Sequence, residues 1–376
     1  MKKALALLLC AVLTLTLFAG CGEKPPAVPV TTGEIGVLRD EAFGNIYLDL
    51  TIDAFNDLGF AFGDSVDVAL PGGEALEDIP YYSGYYVPVG SPLLCGYPGY
   101  PHPVIAFNYG DPTWETYGMT DDAVVTVTLR EKGKFAATQD LFSLQYSDER
   151  ADFDSDQIFA NFREVTGGSL KPKTLYRSAS PCDNQHGRAA YANRFAEAAG
   201  VRFVLNLSDS EGTYIGYTAA DDFDSAYYDS LYRAGNVLLL AMNANYRADA
   251  FAATLSEALY AMAVHEGPCL VHCVEGKDRT GFVCALLLAL SYATADEITA
   301  DYMITYANYY GVTKESKPDT YEAIRANVDD FLRCICEAGP DAPVASLNLH
   351  DGAVRYLRRG GLSDAQIAAV ETFLTK

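Results

Sequence analysis

The sequence predicts an α/β fold: a mostly parallel central sheet flanked by helices over residues 148–376, preceded by a smaller β-rich domain over residues 34–147. Three observations predict it. From Asn161 onward, short apolar runs alternate with stretches of helical length, the texture of strands joined by crossover helices. Before that point, residues 45–52 and 123–129 alternate apolar and polar side chains, as half-buried strands do. The length, 376 residues, exceeds one small domain and suits two.

The elements follow in chain order. Lys2 and Lys3 precede an apolar stretch, residues 4–18, and then Ala19, Gly20 and Cys21. A charged start and an apolar stretch too short for a comfortable span form the pattern of an export signal. Small residues directly before a cysteine resemble a bacterial lipobox, although Phe18 stands where leucine is more usual. That resemblance implies lipidation of Cys21, a signal over residues 1–21, and a body tethered to the membrane outside the cytoplasm. An ordinary signal peptide is the alternative. Residues 22–33, with Pro25, Pro26 and Pro29, read as a tether.

Turn residues (Pro71-Gly72-Gly73, Pro98-Gly99, Gly110-Asp111-Pro112) punctuate the β-rich part. Tyrosines crowd between them, with the single tryptophan, Trp114. They suit either a stacking surface for a sugar or peptide or, more simply, the packing of a small sheet domain. Residues 147–157 are acidic and read as a solvated linker. Asp152-x-Asp154-x-Asp156 starts like a calcium loop, but Gln157 and Arg163 stand where glycine and glutamate are needed. Beyond it, residues 174–178, 202–207, 236–240 and 269–272 read as strands, and 188–199 and 248–265 as helices. The remainder from Ala295 is helical, with Ser363-Asp-Ala-Gln opening the last helix as a capping box.

The formal net charge of −23 argues against general nucleic-acid binding, which needs a basic face. Nine cysteines include Cys10 and Cys21 in the leading segment. The remaining seven are odd in number, so at least one thiol is free. No cysteine or histidine spacing suggests a metal site, and no cofactor is expected.

One stretch carries chemistry. Residues 272–281 read His-Cys-Val-Glu-Gly-Lys-Asp-Arg-Thr-Gly, between a short apolar run and the apolar helical run 282–290. Strand, tight loop and helix start aim backbone N–H groups at one point, which suits a phosphate. Cys273 beside that helix start, Lys277 and Arg279 is placed as an anionic nucleophile. The stretch is not a nucleotide-triphosphate loop: Val271 replaces the first glycine and Asp278 the hydroxyl. A buried structural cysteine is the bland alternative.

His-Cys-x5-Arg-Thr-Gly resembles the signature of the cysteine-dependent phosphatases of the protein tyrosine phosphatase superfamily. The Gly-Lys-Asp-Arg form is similar to that of bacterial atypical tyrosine phosphatases and of several phosphoinositide phosphatases. Asn161-Phe-Arg and Tyr176-Arg-Ser are similar to upstream elements of the bacterial enzymes, so the resemblance covers roughly residues 155–376. It implies Cys273 as nucleophile, Arg279 as a two-oxygen clamp, and a cradle formed by Val274, Glu275, Gly276 and Lys277. Thr280 would hydrogen-bond the sulfur. His272, Gly281, Arg163 and Arg177 would support the loop. Lys277 adds a cation for a second phosphate or merely offsets Glu275 and Asp278. For the leaving-group proton, Asp209 is the first candidate and Asp278 the second. The implied substrate is phosphorylated protein or a phosphoinositide, with inositol polyphosphate as a further possibility. The alternative of another class is a non-catalytic surface-binding lipoprotein working through its Tyr-rich domain.

Overall fold

A computed structural model describes residues 29–375, apart from Val89, Tyr109 and Glu266. The expected signal, Cys21 and most of the tether lie outside the described residues. The fold is mixed α/β, and it divides into two compact units at Ala136/Ala137.

The first unit contains β1 (Thr31–Arg39), β2 (Ile46–Leu48), α1 (Ile52–Asp57), β3 (Ser65–Ala69), β4 (Ala75–Tyr82), β5 (Pro92–Cys95), β6 (Val104–Phe107), α2 (Thr113–Thr116) and β7 (Val124–Glu131). The strands close into a barrel in the order β1-β2-β6-β5-β4-β3-β7, which leaves no unpaired edge. Alternation sets the inside. Val125 and Val127 of β7, Val66 and Val68 of β3, and Ile46 and Leu48 of β2 are fully or almost fully buried. β1 begins at Thr31, inside the segment expected to be a tether, because Thr31 pairs with Thr128 of β7. Part of the aromatic crowd is core packing: Tyr81 is buried, and Phe55 stacks on Phe60 at 4.2 Å and meets Tyr81 edge-on.

The second unit runs α3 (Ala136–Phe142), α4 (Asp156–Phe159), β8 (Arg163–Glu164), β9 (Leu175–Ser178), α5 (Ala189–Ala198), β10 (Phe203–Asn206), α6 (Glu211–Thr218), α7 (Ala226–Arg233), β11 (Val237–Leu239), α8 (Asp249–Val264) and β12 (Cys269–His272). Five helices follow: α9 (Asp278–Leu290), α10 (Ala295–Tyr310), α11 (Pro318–Ile335), α12 (Leu349–Arg359) and α13 (Asp364–Leu374). The sheet order is β11-β10-β12-β9-β8. Its pairs are parallel except β8 with β9. Successive residues of β12 face opposite layers. Cys269 and Val271 join the core formed with α8 and α9, while Leu270 joins the one formed with α5 and α7. α9 is buried almost all round, as a central helix must be.

The acidic segment 147–157 is not a linker between the two units. It falls within the second unit, tied there by Asp148 on Arg188 at 2.8 Å and folded on itself by Asp156 on Arg150 at 2.6 Å, although its acidic side chains stay exposed. Phe153 also packs on Phe159, with ring centres 5.1 Å apart. The division expected at 147/148 therefore lies inside this unit. Among the described residues no helix is long and apolar enough to cross a membrane.

A Cβ added at Gly281 would lie 2.5 Å from a ring carbon of Tyr302, which is buried. Gly281→Ala is expected to cost about 1–3 kcal/mol through overpacking of α9 against α10. A denaturation midpoint equal to that of the wild type would rule out this close approach.

Candidate active site

The loop between β12 and α9 lies at the carboxyl end of a strand flanked on both sides by parallel neighbours, where such sheets place ligands. Its shape is set from behind. Gly276 has φ +67°, and a Cβ there would sit 2.1 Å from the Ser178 carbonyl oxygen, so only glycine fits. The loop carbonyls are held on the protein side. The Val274 oxygen accepts from the Ser180 N–H at 2.9 Å. The Glu275 oxygen accepts from the Tyr309 hydroxyl at 2.9 Å, and the Gly276 oxygen from Arg177 Nη2 at 2.8 Å. Asn161 Nδ2 reaches both the Glu275 and Gly276 oxygens at 3.3 Å. A loop anchored by its carbonyls turns its N–H groups the other way, toward the pocket.

Arg177 is itself buried and pairs with Asp301 of α10. Arg163 donates to the Asp301 carboxylate at 3.3 Å, to the Asp301 carbonyl at 2.7 Å and to Thr305 at 3.0 Å. Burial alone would raise the Asp301 carboxyl, but the two arginines hold it below its usual value.

The pocket is about 310 Å³. Cys273, Val274, Glu275, Lys277, Asp278 and Arg279 line it from the loop, and Gln185 and His186 from the segment after β9. Cys273 is 4% exposed. Arg279 Nη1 donates to the Met242 carbonyl at 3.0 Å, which fixes its guanidinium. Lys277 Nζ lies 2.9 Å from Glu275 and 3.0 Å from the Tyr310 hydroxyl. Burial would lower Lys277, but Asp278 and Glu275 outweigh it and hold it above the usual lysine range. Glu275 also accepts from the Tyr146 hydroxyl at 2.6 Å. Burial pushes the Asp278 carboxyl up, with Lys277 and Arg279 pulling it down. Its side chain is 55% exposed, so solvent screens both effects.

Several expected residues sit elsewhere. Asp209 does not line the pocket. The Asn206 side chain accepts from the N–H groups of Ser208 and Asp209 at 3.0 Å. That local turn winds the carboxylate inward, where Asn206 Nδ2 donates to it at 2.8 Å and Tyr217 at 3.3 Å. The Thr280 hydroxyl, expected on the sulfur, is buried without a hydrogen-bond partner. His272 stands behind the loop. Its Nδ1 lies 3.2 Å from the Cys273 carbonyl, and its Nε2 lies 3.3 Å from the Tyr228 hydroxyl. Gly276, Gly281, Arg163 and Arg177 shape or brace the loop without lining the pocket.

Sequence reasoning missed Asp301, Tyr146 and His186. Asp301 shares a helix face with Thr305, four residues on, but nothing in the sequence brings it near Arg163 and Arg177, which lie 138 and 124 positions away. His186 is one of five histidines and follows the Tyr-Arg-Ser element closely. Among the described residues the seven cysteines are free and buried, and no group of three or more His, Cys, Asp or Glu could hold a metal.

The phosphate-loop geometry agrees with the comparison by family. A family model described as the tyrosine phosphatase family matches residues 157–376, more than half of the chain, and the chain belongs to that family. No curated protein matches it. Among solved structures, one similar chain is an uncharacterized conserved protein from Thermotoga maritima, 22% identical with TM-score 0.22. That match covers 25% of this chain and 35% of the other, so the chain spans about a third of that relative. Another is P. aeruginosa TpbA, 17% identical with TM-score 0.27, over 50% of this chain and 94% of that one. A Cys-to-Ser variant of TpbA in complex with phosphotyrosine is 19% identical with TM-score 0.27, over 45% and 92%.

Burial pushes His272 down from 6.5 to about 4, against the pull of Asp209. The sign follows: a depressed folded value means that the unfolded chain takes up the proton first as pH falls. The stability from keeping this ring neutral is complete above pH 6.5 and is lost progressively toward pH 4, by up to about 3 kcal/mol. Chemical denaturation at pH 7.5 and 4.5 should show a smaller loss for His272→Gln than for the wild type. Equal losses would contradict a buried neutral ring.

Proposed function

We propose that this chain is a cysteine-dependent phosphatase that hydrolyses phosphomonoesters through a phosphocysteine intermediate, with protein phosphotyrosine as its substrate. The observation that carries the reading is Cys273 and Arg279 on one pocket at the carboxyl end of β12, below a loop anchored by its carbonyls. The Cys273 sulfur attacks phosphorus in line with the leaving oxygen. Arg279 offers a planar fork to two equatorial oxygens, which a lysine does not. Loop N–H groups from Val274 to Arg279 receive the charge that gathers on those oxygens. Water then displaces the sulfur and releases phosphate.

Phosphotyrosine is favoured over a more highly charged inositide by the charge of the lining. Glu275 and Asp278 balance Lys277 and Arg279, and Lys277 is already held by Glu275 and Tyr310. A single phosphate dianion can be met by Arg279 and the N–H groups, whereas several phosphates require further free cations. Mature protein should release phosphate from a phosphotyrosine peptide in preference to phosphoinositide and phytate. Cys273→Ser should be inert, and Arg279→Lys should lose roughly 10²–10³ in kcat. Wild type as inert as Cys273→Ser on all three substrates would leave only the binding lipoprotein. Preference for phytate or phosphoinositide would overturn the protein substrate.

The same reading places the protein outside the cytoplasm on a lipid at Cys21, supported by Lys2, Lys3, the apolar stretch 4–18 and Ala19-Gly20-Cys21. Cys21→Ser is expected to move the protein from the membrane fraction to the soluble fraction. Unchanged partition would remove the lipid anchor.

A further inference from the structure

The active-site pocket has a larger neighbour. A cavity of about 650 Å³ lies beside it, against about 310 Å³ for the pocket itself, and Asp278 lines both. The segment after β11 is a second link. Its Met242 carbonyl holds Arg279 at 3.0 Å, and its next residues, from Ala244 to Arg247, form one wall of the cavity. The two spaces adjoin along residues that also shape the phosphate pocket.

The floor of the cavity is aromatic, with Tyr246, Tyr302 and Phe331 in its lining. Tyr302 and Phe331 are buried. Phe331 meets Tyr246 edge-on with ring centres 5.3 Å apart, and Tyr302 likewise at 5.5 Å. Tyr246 stacks on Phe282 of α9 at 4.3 Å, and its carbonyl accepts from the Tyr356 hydroxyl at 2.9 Å. The Tyr302 hydroxyl lies 3.4 Å from that of Tyr306. Rings fixed in this way need little ordering when a ligand arrives. The charged members of the lining are exposed: Asp330, which pairs with Arg333 at 2.9 Å, and Arg247. With Asp278 they put both signs of charge around the opening, so neither an acidic nor a basic side chain is strongly drawn in. An apolar floor under a polar rim is the form of a pocket that takes an apolar anchor.

We propose that this cavity is a substrate subsite that takes a large apolar side chain, aromatic or aliphatic, within two residues of the phosphotyrosine. This rests on the phosphatase reading above. In an extended peptide, side chains two residues apart point the same way, about 7 Å from one another. One can settle on the floor of Tyr246 and Phe331 while the phosphotyrosine fills the pocket on the other side of Asp278. Asn327 and Phe331 are four apart on α11 and share one face of it. Substrate choice is then set by α11 and the segment after β11, outside the phosphate loop.

The test compares free phosphotyrosine with phosphotyrosine peptides. The peptides carry alanine within two positions on either side, except for one leucine, phenylalanine, aspartate or lysine. At one of these positions leucine or phenylalanine is expected to raise kcat/KM about 10-fold or more over alanine, with aspartate and lysine no better than alanine. Asn327→Trp, which fills the cavity from α11, should erase that gain and leave the rate on free phosphotyrosine unchanged. Arg247→Ala should keep the gain. Equal losses on free phosphotyrosine and on peptides in Asn327→Trp would overturn the subsite. So would a preference for aspartate that disappears in Arg247→Ala, or an active wild type indifferent to the flanking residue. A wild type that releases phosphate from neither free phosphotyrosine nor any peptide would instead remove the phosphatase reading itself.

Discussion

The site depends on one buried ion cluster, Asp301 with Arg177 and Arg163. Taking three charges out of water costs several kcal/mol for each ion, and only complete pairing makes it tolerable. Arg177 reaches the Asp301 carboxylate with one end of its fork and the Gly276 carbonyl with the other. The cluster therefore joins α10, β8, β9 and the phosphate loop in a single rigid unit. The loop N–H groups are turned toward the pocket because their neighbouring carbonyls are held behind it. The carboxylate of Asp301 on α10 thus holds the arginine that anchors the Gly276 carbonyl, beside the anchors that Ser180, Tyr309 and Asn161 give the rest of the loop.

A second constraint is charge. The chain carries a formal −23, and a phosphate dianion must approach it. Attraction has to come from the pocket itself, over distances shorter than the ionic screening length of about 8 Å. Within the lining Lys277 is neutralised by Glu275, so Arg279 and the loop N–H groups act on the ligand at short range. This favours a small, singly phosphorylated group over a headgroup that needs several cations at once.

The parts legible in the sequence were those built from neighbours in the chain. The β12–loop–α9 stretch is contiguous, so its strand, nucleophile, glycine and arginine can be read in one pass. The alternation of β7 and the capping box at Ser363 are equally local. Closure of the barrel was not legible, because it depends on β1 meeting β7 across the whole unit. Asp301 was invisible for the same reason: its partners Arg163 and Arg177 lie 138 and 124 positions away. Asp209 misled in the opposite direction. Its position after a strand suggested the pocket, yet a turn around Asn206 only three residues earlier aims it into the core.

Lys277 shows how packing revises a residue that the motif makes conspicuous. Read alone, a lysine inside a phosphate loop invites a second phosphate. Its surroundings give it another role. Tyr146 and Lys277 both bind Glu275, and Tyr310 binds Lys277, so the loop's own acid and base are tied together along one wall. Tyr146 also stacks on Tyr309, with ring centres 5.0 Å apart, and the Tyr309 hydroxyl holds the Glu275 carbonyl. The side chain and the backbone of Glu275 are thus fixed by the same aromatic pair. A loop residue with both ends restrained stays on its own wall of the pocket and does not swing across it to compete with phosphate for Arg279. The acidic residue that looks out of place in an anion site is tolerable because this wall holds it aside.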